Sequence, residues 1–168
     1  MTTAFTAGKV PTTSAAPQLR PAVPTDLAAV ERLLVASSLP LDGVREALAS
    51  FVVAEAKGDI VGVAGLEVCC DNALLRSVAV QPEWRSHGLG RALVTRMISD
   101  AEARGLRALY LLTTTAERYF PGFGFRTINR DEVPDDLRET AEFRGACPAS
   151  ATVMCRTVHA DAERIMRD

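Results

Sequence analysis

The stretch Ala73 to Arg104, ALLRSVAVQPEWRSHGLGRALVTRMISDAEAR, decides the fold. Ala73 to Val80 is mostly apolar, and its apolar residues fall on both alternating sets. That pattern fits a strand buried on both faces near the middle of a sheet. Gln81-Pro82 ends the strand, because proline cannot donate to a ladder. Leu89, Leu93, Met97 and Ala101 then recur every four residues, as one buried helix stripe does. Gly105 supplies the C-terminal stop. Between strand and helix lies RSHGLG, Arg85 to Gly90. Gly88 and Gly90 have no Cβ, so a ligand can approach the backbone closely. The loop runs straight into a helix N-terminus, whose unpaired N–H groups and dipole favour a phosphate. Arg85 and Arg91 add positive charge at its two ends. A tight turn with a glycine pair would account for the two glycines alone; the preceding strand, the Gln-Pro break and the arginine three residues ahead of Gly88 point to an anion cradle.

Outward from this unit, Phe51 to Ala56 and Ile60 to Cys69 read as two strands joined by the hairpin signal KGD. Asp71-Asn72 is the next turn. Toward the N-terminus, Gln18 to Pro21 reads as a first strand. Thr25 or Asp26 caps a helix whose stripe is Leu27, Val30, Leu33 and Leu34, and Leu41 to Ala49 holds a second short helix. Toward the C-terminus, Arg107 to Leu112 is an apolar strand. The threonines 113–115 break it and cap a helix from Ala116 to Phe120. GFGF, Gly122 to Phe125, opens another strand, PDDLRETAEF forms a helix, and Ala151 to Val158 is the last strand. The order predicts an α/β fold with a mixed sheet flanked by helices.

VAVQPEWRSHGLGRAL resembles the acetyl-CoA-binding segment of GCN5-related N-acetyltransferases (GNAT), with Arg85, Gly88 and Gly90 at the R-x-x-G-x-G positions and Val80 as the strand-end valine. No GKS or GKT follows, as a nucleoside-triphosphate P-loop would require, and the dinucleotide pattern G-x-G-x-x-G is absent. The resemblance covers roughly Leu19 to Val158. It implies a GNAT fold, a mixed, mostly antiparallel sheet whose fourth and fifth strands splay to form the acyl-CoA wedge. It implies acetyl-CoA as co-substrate, held by Val78, Ala79, Val80, Arg85, Ser86, His87, Gly88, Leu89, Gly90 and Arg91, with Phe120 lining the channel. His87 is expected to act through its backbone. A backbone N–H near Val78 to Val80 would face the thioester carbonyl, where charge develops.

Acetyl transfer to an amine needs a proton acceptor and a proton for the leaving thiolate. The family often has a glutamate on the central strand where this chain has Leu74. The nearest replacement is Glu67 on the strand before, an acid costly to bury unpaired. The family's tyrosine acid aligns with Phe120, and its neighbour is Tyr119; helix neighbours point about 100° apart, so the swap bears on reach. Arg76 has the parity of Leu74, Val78 and Val80. It could hold an oxyanion in bidentate fashion or salt-bridge Glu67. Thr113 and Thr114 are candidates for acceptor contact.

A narrower resemblance is carried by GLEV, ALLRSVAV, LYLLTTTAERYF and ETAEFRGACPASATVM. These are similar to a bacterial subgroup of arsenic-resistance N-acetyltransferases, whose companion family acetylates arsinothricin, a glutamate-like compound. The acceptor implied is a small, amino-acid-like, oxyanion-bearing amine. Two readings stand beside this one: an acyl-CoA or thiol-ligand binding protein without turnover, kept open by Leu74 and Phe120, and an acetyltransferase of protein N-termini or lysines.

The 168 residues suit one domain, Gln18 to Val158, between tails at 1–17 and 159–168. The net charge of −2 gives no basic field for nucleic acid, and there is no apolar run of membrane-spanning length. The N-terminus lacks the apolar core of an export signal. Four cysteines without CxxC predict reduced thiols in a cytoplasmic protein, with no metal site. Cys69 and Cys70 are adjacent and would face opposite sides of a strand, which argues against joint chelation; Cys147 reads as a buried thiol. A homodimer is common in the family.

Overall fold

The computed structural model describes residues 16–158. Most of the two proposed tails, 1–15 and 159–168, therefore lies outside the described residues. Seven strands form one sheet in the order β1-β2-β3-β4-β5-β7-β6. They are β1 (Gln18–Pro21), β2 (Phe51–Ala56), β3 (Asp59–Cys69), β4 (Asn72–Val80), β5 (Ala108–Thr113), β6 (Arg126–Ile128) and β7 (Thr152–Thr157). Every pair is antiparallel except β4 with β5. A parallel pair needs a crossover, and α3 (Leu89–Ala103) provides it. This is the α/β GNAT fold.

The buried stripe of α3 is Leu89, Leu93, Met97 and Ala101, joined by Val94 and Ile98. It packs on Val52, Ala54, Ala64, Leu66, Ala73 and Leu75. Leu93 and Met97 have no exposed surface, and burying each contributes about 1.5–3 kcal/mol. The strand β3 carries glycine where neighbours come closest. A Cβ at Gly62 would lie 3.0 Å from Leu93, and one at Gly65 would lie 2.1 Å from the Phe51 ring. On the other face, α1 (Leu27–Ala36) and α2 (Val44–Ala47) cover a second cluster around Val30, Leu34, Val53 and Val63. A third cluster joins Leu74, Tyr110 and Val153 to Leu137 of α4 (Asp135–Arg138).

Two features of β4 position the site. Its pairing with β5 runs only from Asn72↔Ala108 to Leu74↔Tyr110. Beyond Leu74 the two strands separate, leaving a wedge between Leu75–Val80 and the end of β5. The second feature is a bulge against β3. Val63 pairs with Ala79 but Gly65 pairs with Arg76, so β4 has one extra residue there. Ser77 takes φ 58°, the left-handed conformation that absorbs it.

The ends of elements differ from the expectations in the second half of the chain. No α-helix forms over Ala116 to Phe120. A turn leads into a short 3-10 segment, Phe120–Phe123, because Pro121 has no N–H to continue a ladder. The strand expected to open at Gly122 begins at Arg126. The PDDLRETAEF helix shrinks to the four residues of α4, followed by a wide turn over Glu142–Ala146. Near the N-terminus, Asp26 does not cap α1. Its carboxylate accepts from the Val23 N–H at 2.8 Å and pairs with Arg20 through two bonds of 2.8 and 2.9 Å.

Candidate active site

The RSHGLG loop forms the N-terminus of α3. Gly88 is its N-cap, at φ 79°, and no side chain caps the helix. The first N–H groups are thus left for another acceptor. A Cβ at Gly88 would meet nothing within 4 Å, and one at Gly90 would lie 3.5 Å from the Tyr119 hydroxyl and 3.9 Å from Val80. This open cradle lies at the start of α3, beside Val80 at the end of β4. Arg85 donates to the Val80 carbonyl at 3.0 Å, tying the loop to the strand. His87 is exposed, its Nδ1 2.7 Å from the Arg85 carbonyl. Ser86 holds φ 66°. A cavity of about 710 Å³ adjoins the loop, lined by Trp84, His87, Gly88, Leu89 and Ala92 among others.

The two neighbouring aromatic residues take different environments. Phe120 is buried beneath α3, edge-on to Phe125 at 5.7 Å. Tyr119 is more than a third exposed, edge-on to Phe120 and Phe123 at 5.3 and 5.1 Å. Its hydroxyl is therefore the aromatic group beside Gly90. Burial pushes its pKa up, opposed by Arg91, whose guanidinium stands 5.5 Å over the Phe123 ring.

On the opposite side of the sheet lies a charged group of three. Arg76 has no exposed side-chain surface. Its Nη1 donates to Glu67 Oε2 at 2.9 Å, and its Nε lies 3.5 Å from Glu142 Oε1 and 3.2 Å from the Ser77 hydroxyl. Its Nη2 is buried with no hydrogen-bond partner among the described residues. Gly43, at φ 78°, lies over the pair; a Cβ there would come 2.9 Å from Arg76 Nη1 and 3.7 Å from Glu67 Oε2. The salt bridge foreseen between Glu67 and Arg76 thus forms. The shared parity of Arg76 with Val78 and Val80 does not hold. The bulge at Ser77 reverses the alternation, so Val78 and Val80 pack on the α3 side with Ala73 and Leu75.

Sequence reasoning gave Glu142 no role. It is about 5% exposed, and burial drives its carboxyl up to about 7; Arg76 opposes this and Glu67 adds to it. Its backbone carbonyl accepts from the Cys147 N–H at 3.2 Å, and the Cys147 thiol is pushed up to about 11 by burial and by the Glu142 carboxylate. An isolated acid in the run TAEF was the available signal. Cys147 is half-buried rather than buried. It lines a cleft of about 420 Å³ together with Ser38, Asp42, Thr113, Thr114 and Thr115. Thr113 Oγ1 accepts from the Ala116 N–H at 2.9 Å, so its oxygen already closes the turn.

The acetyltransferase (GNAT) domain profile matches residues 47–127. The amino-acid acetyltransferase of Neisseria meningitidis is 27% identical over 114 residues, covering 67% of this chain and 26% of that protein. The Pseudomonas fluorescens amino-acid acetyltransferase is 35% identical over 86 residues, covering 50% and 20%. This chain therefore spans about a quarter or less of the length of these relatives. Among solved structures, N-acetylglutamate synthase from Neisseria gonorrhoeae, complexed with coenzyme A and N-acetyl-glutamate, superposes with a TM-score of 0.73 at 25% identity, over 88% of this chain and 36% of that one. Rv2747 from Mycobacterium tuberculosis, also complexed with CoA, gives 0.72 at 26% identity over 84% and 99%. Residues 47–127 thus match the acetyltransferase (GNAT) domain, and the fold around them is the GNAT fold.

Proposed function

We propose that this chain moves the acetyl group of acetyl-CoA to the amine of a small, amino-acid-like acceptor. The observation that carries the reading is the uncapped, side-chain-free α3 N-terminus at Gly88, set at the open end of the β4/β5 wedge. Acetyl-CoA supplies an activated acetyl group and a thiolate leaving group. The N–H groups of Gly88 to Arg91 hold its pyrophosphate. The unpaired edge of β4 at Val78 to Val80 presents N–H groups to the carbonyl oxygen as it gains charge. Glu67 accepts the proton lost by the attacking amine, its carboxylate held in place by Arg76. Tyr119, beside Gly90, is the proton donor to the departing sulfur. Positioning alone supplies about 7–11 kcal/mol in favourable cases. Thr114 and the cleft around Cys147 receive the acceptor.

An acidic acceptor finds its counter-ion in Arg76. A buried guanidinium N–H without a partner is costly, and a carboxylate or related oxyanion would satisfy it. The relatives that act on amino acids support this class. The narrower reading, a glutamate-like arsinate or phosphinate such as arsinothricin, rests on the resemblance of LYLLTTTAERYF and ETAEFRGACPASATVM. Calorimetric titration with acetyl-CoA, followed by a thiol-release screen over amino acids, phosphinate and arsinate analogues, uncharged amines and peptides, tests both. Fast release with one amino-acid-like amine is the expected result. Binding without release for any acceptor would leave an acyl-CoA binding protein.

A further inference from the structure

Two carboxylates share the single positive charge of Arg76, one at 2.9 Å and one at 3.5 Å. With both ionised the buried group carries one net negative charge. An acidic acceptor placing its carboxylate on Nη2 would raise that to two, in a setting where charge is weakly screened. Neutralising one of the resident carboxylates relieves that repulsion. Glu67 is held by the shorter bond and is partly exposed, whereas Glu142 has the longer contact and is nearly enclosed. The groups facing Glu142 are Arg76 from β4, Glu67 from β3 and the Cys147 thiol from the turn that follows. None besides Arg76 offers a positive charge.

Resting on the acidic-acceptor reading above, we propose that Glu142 is a specificity-determining residue that exchanges its charge for the acceptor's: it takes up one proton from solvent as an acceptor carboxylate becomes the second counter-ion of Arg76. The net charge of the group is then unchanged by binding. Cys147 connects this exchange to the cleft, since its N–H donates to the Glu142 carbonyl at 3.2 Å and the residue lines the acceptor cavity. Burial, which raises the Glu142 carboxyl, places the exchange near neutral pH.

The test is calorimetric titration of L-glutamate into the full chain saturated with CoA, at pH 8, in two buffers of different ionisation enthalpy. Wild-type protein is expected to take up close to one proton per L-glutamate bound. Glu142→Gln, neutral at every pH, should take up none and bind about tenfold more tightly, because the competent neutral form is then always populated. Binding without proton uptake by wild type, or equal uptake by both proteins, overturns the proposal. If Glu142→Gln does not fold, the wild-type uptake decides alone. If neither protein binds L-glutamate, the proposal fails with its acidic acceptor, while acetyl-CoA binding and thiol release with uncharged amines judge the acetyltransferase reading separately.

Discussion

Replacing Glu142 with glutamine should flatten the pH dependence of stability. The carboxyl titrates near 4.5 in the unfolded chain and near 7 when folded. Between those values the folded state binds a proton that the unfolded state has released. Stability from this group is therefore complete below pH 4.5 and is lost as pH rises through 7. At about 1.4 kcal/mol for each pH unit separating the two values, the loss is about 3 kcal/mol. For a domain of this size that corresponds to roughly 6–12 °C in melting temperature. Glutamine keeps the shape of the side chain and never ionises, so the variant should exceed wild type by under about 1 kcal/mol at pH 5 and by most of the full amount at pH 8. Urea unfolding at both pH values, with melting curves as a check, measures it. An identical pH slope in variant and wild type would refute the placement of Glu142 as a nearly enclosed acid, and the charge count built on it.

Gly88→Glu should abolish acetyl-CoA binding in calorimetry, since it adds a negative side chain at a left-handed backbone position in the cradle; undiminished affinity would remove the pyrophosphate assignment. Glu67→Gln should slow thiol release more at pH 7 than at pH 9, where more of the amine is already neutral, and equal losses would exclude Glu67 as the base. Tyr119→Phe should lower kcat by about 100-fold or more with acetyl-CoA affinity retained; an unchanged kcat would mean that the thiolate leaves without it. Gly65→Ala should cost about 3 kcal/mol or more in urea unfolding, because its Cβ would lie 2.1 Å from a Phe51 ring carbon. A loss under about 1 kcal/mol would place that ring elsewhere.

The central unit could be read directly because period and punctuation agreed. Leu89, Leu93, Met97 and Ala101 mark one stripe, Gln81-Pro82 and Gly105 bound the elements, and all four stripe residues are buried in the structure. Such local agreement is what makes a segment readable from its own residues. The failures arose where distant contacts decide. Nothing local in LLRSVAV announces an extra residue at Ser77, and unbroken alternation groups Arg76 with Val78 and Val80. Glu142 became important only because the chain returns it to Arg76 from 66 positions away. Tyr119 and Phe120 could be named as a swapped pair, but which ring enters the core depended on Pro121 ending the turn.

The extra residue at Ser77 gives β4 two reading frames. Before it, the even-numbered residues Leu74 and Arg76 belong to the face that carries the acids; after it, Val78 and Val80 belong to the helix side, next to Gly90. A scan of substitutions along the strand should therefore change its rhythm once, at Ser77. Deleting that residue would restore unbroken alternation from Arg76 to Val78, leaving every later side chain on its own side of the sheet and removing only the bulge.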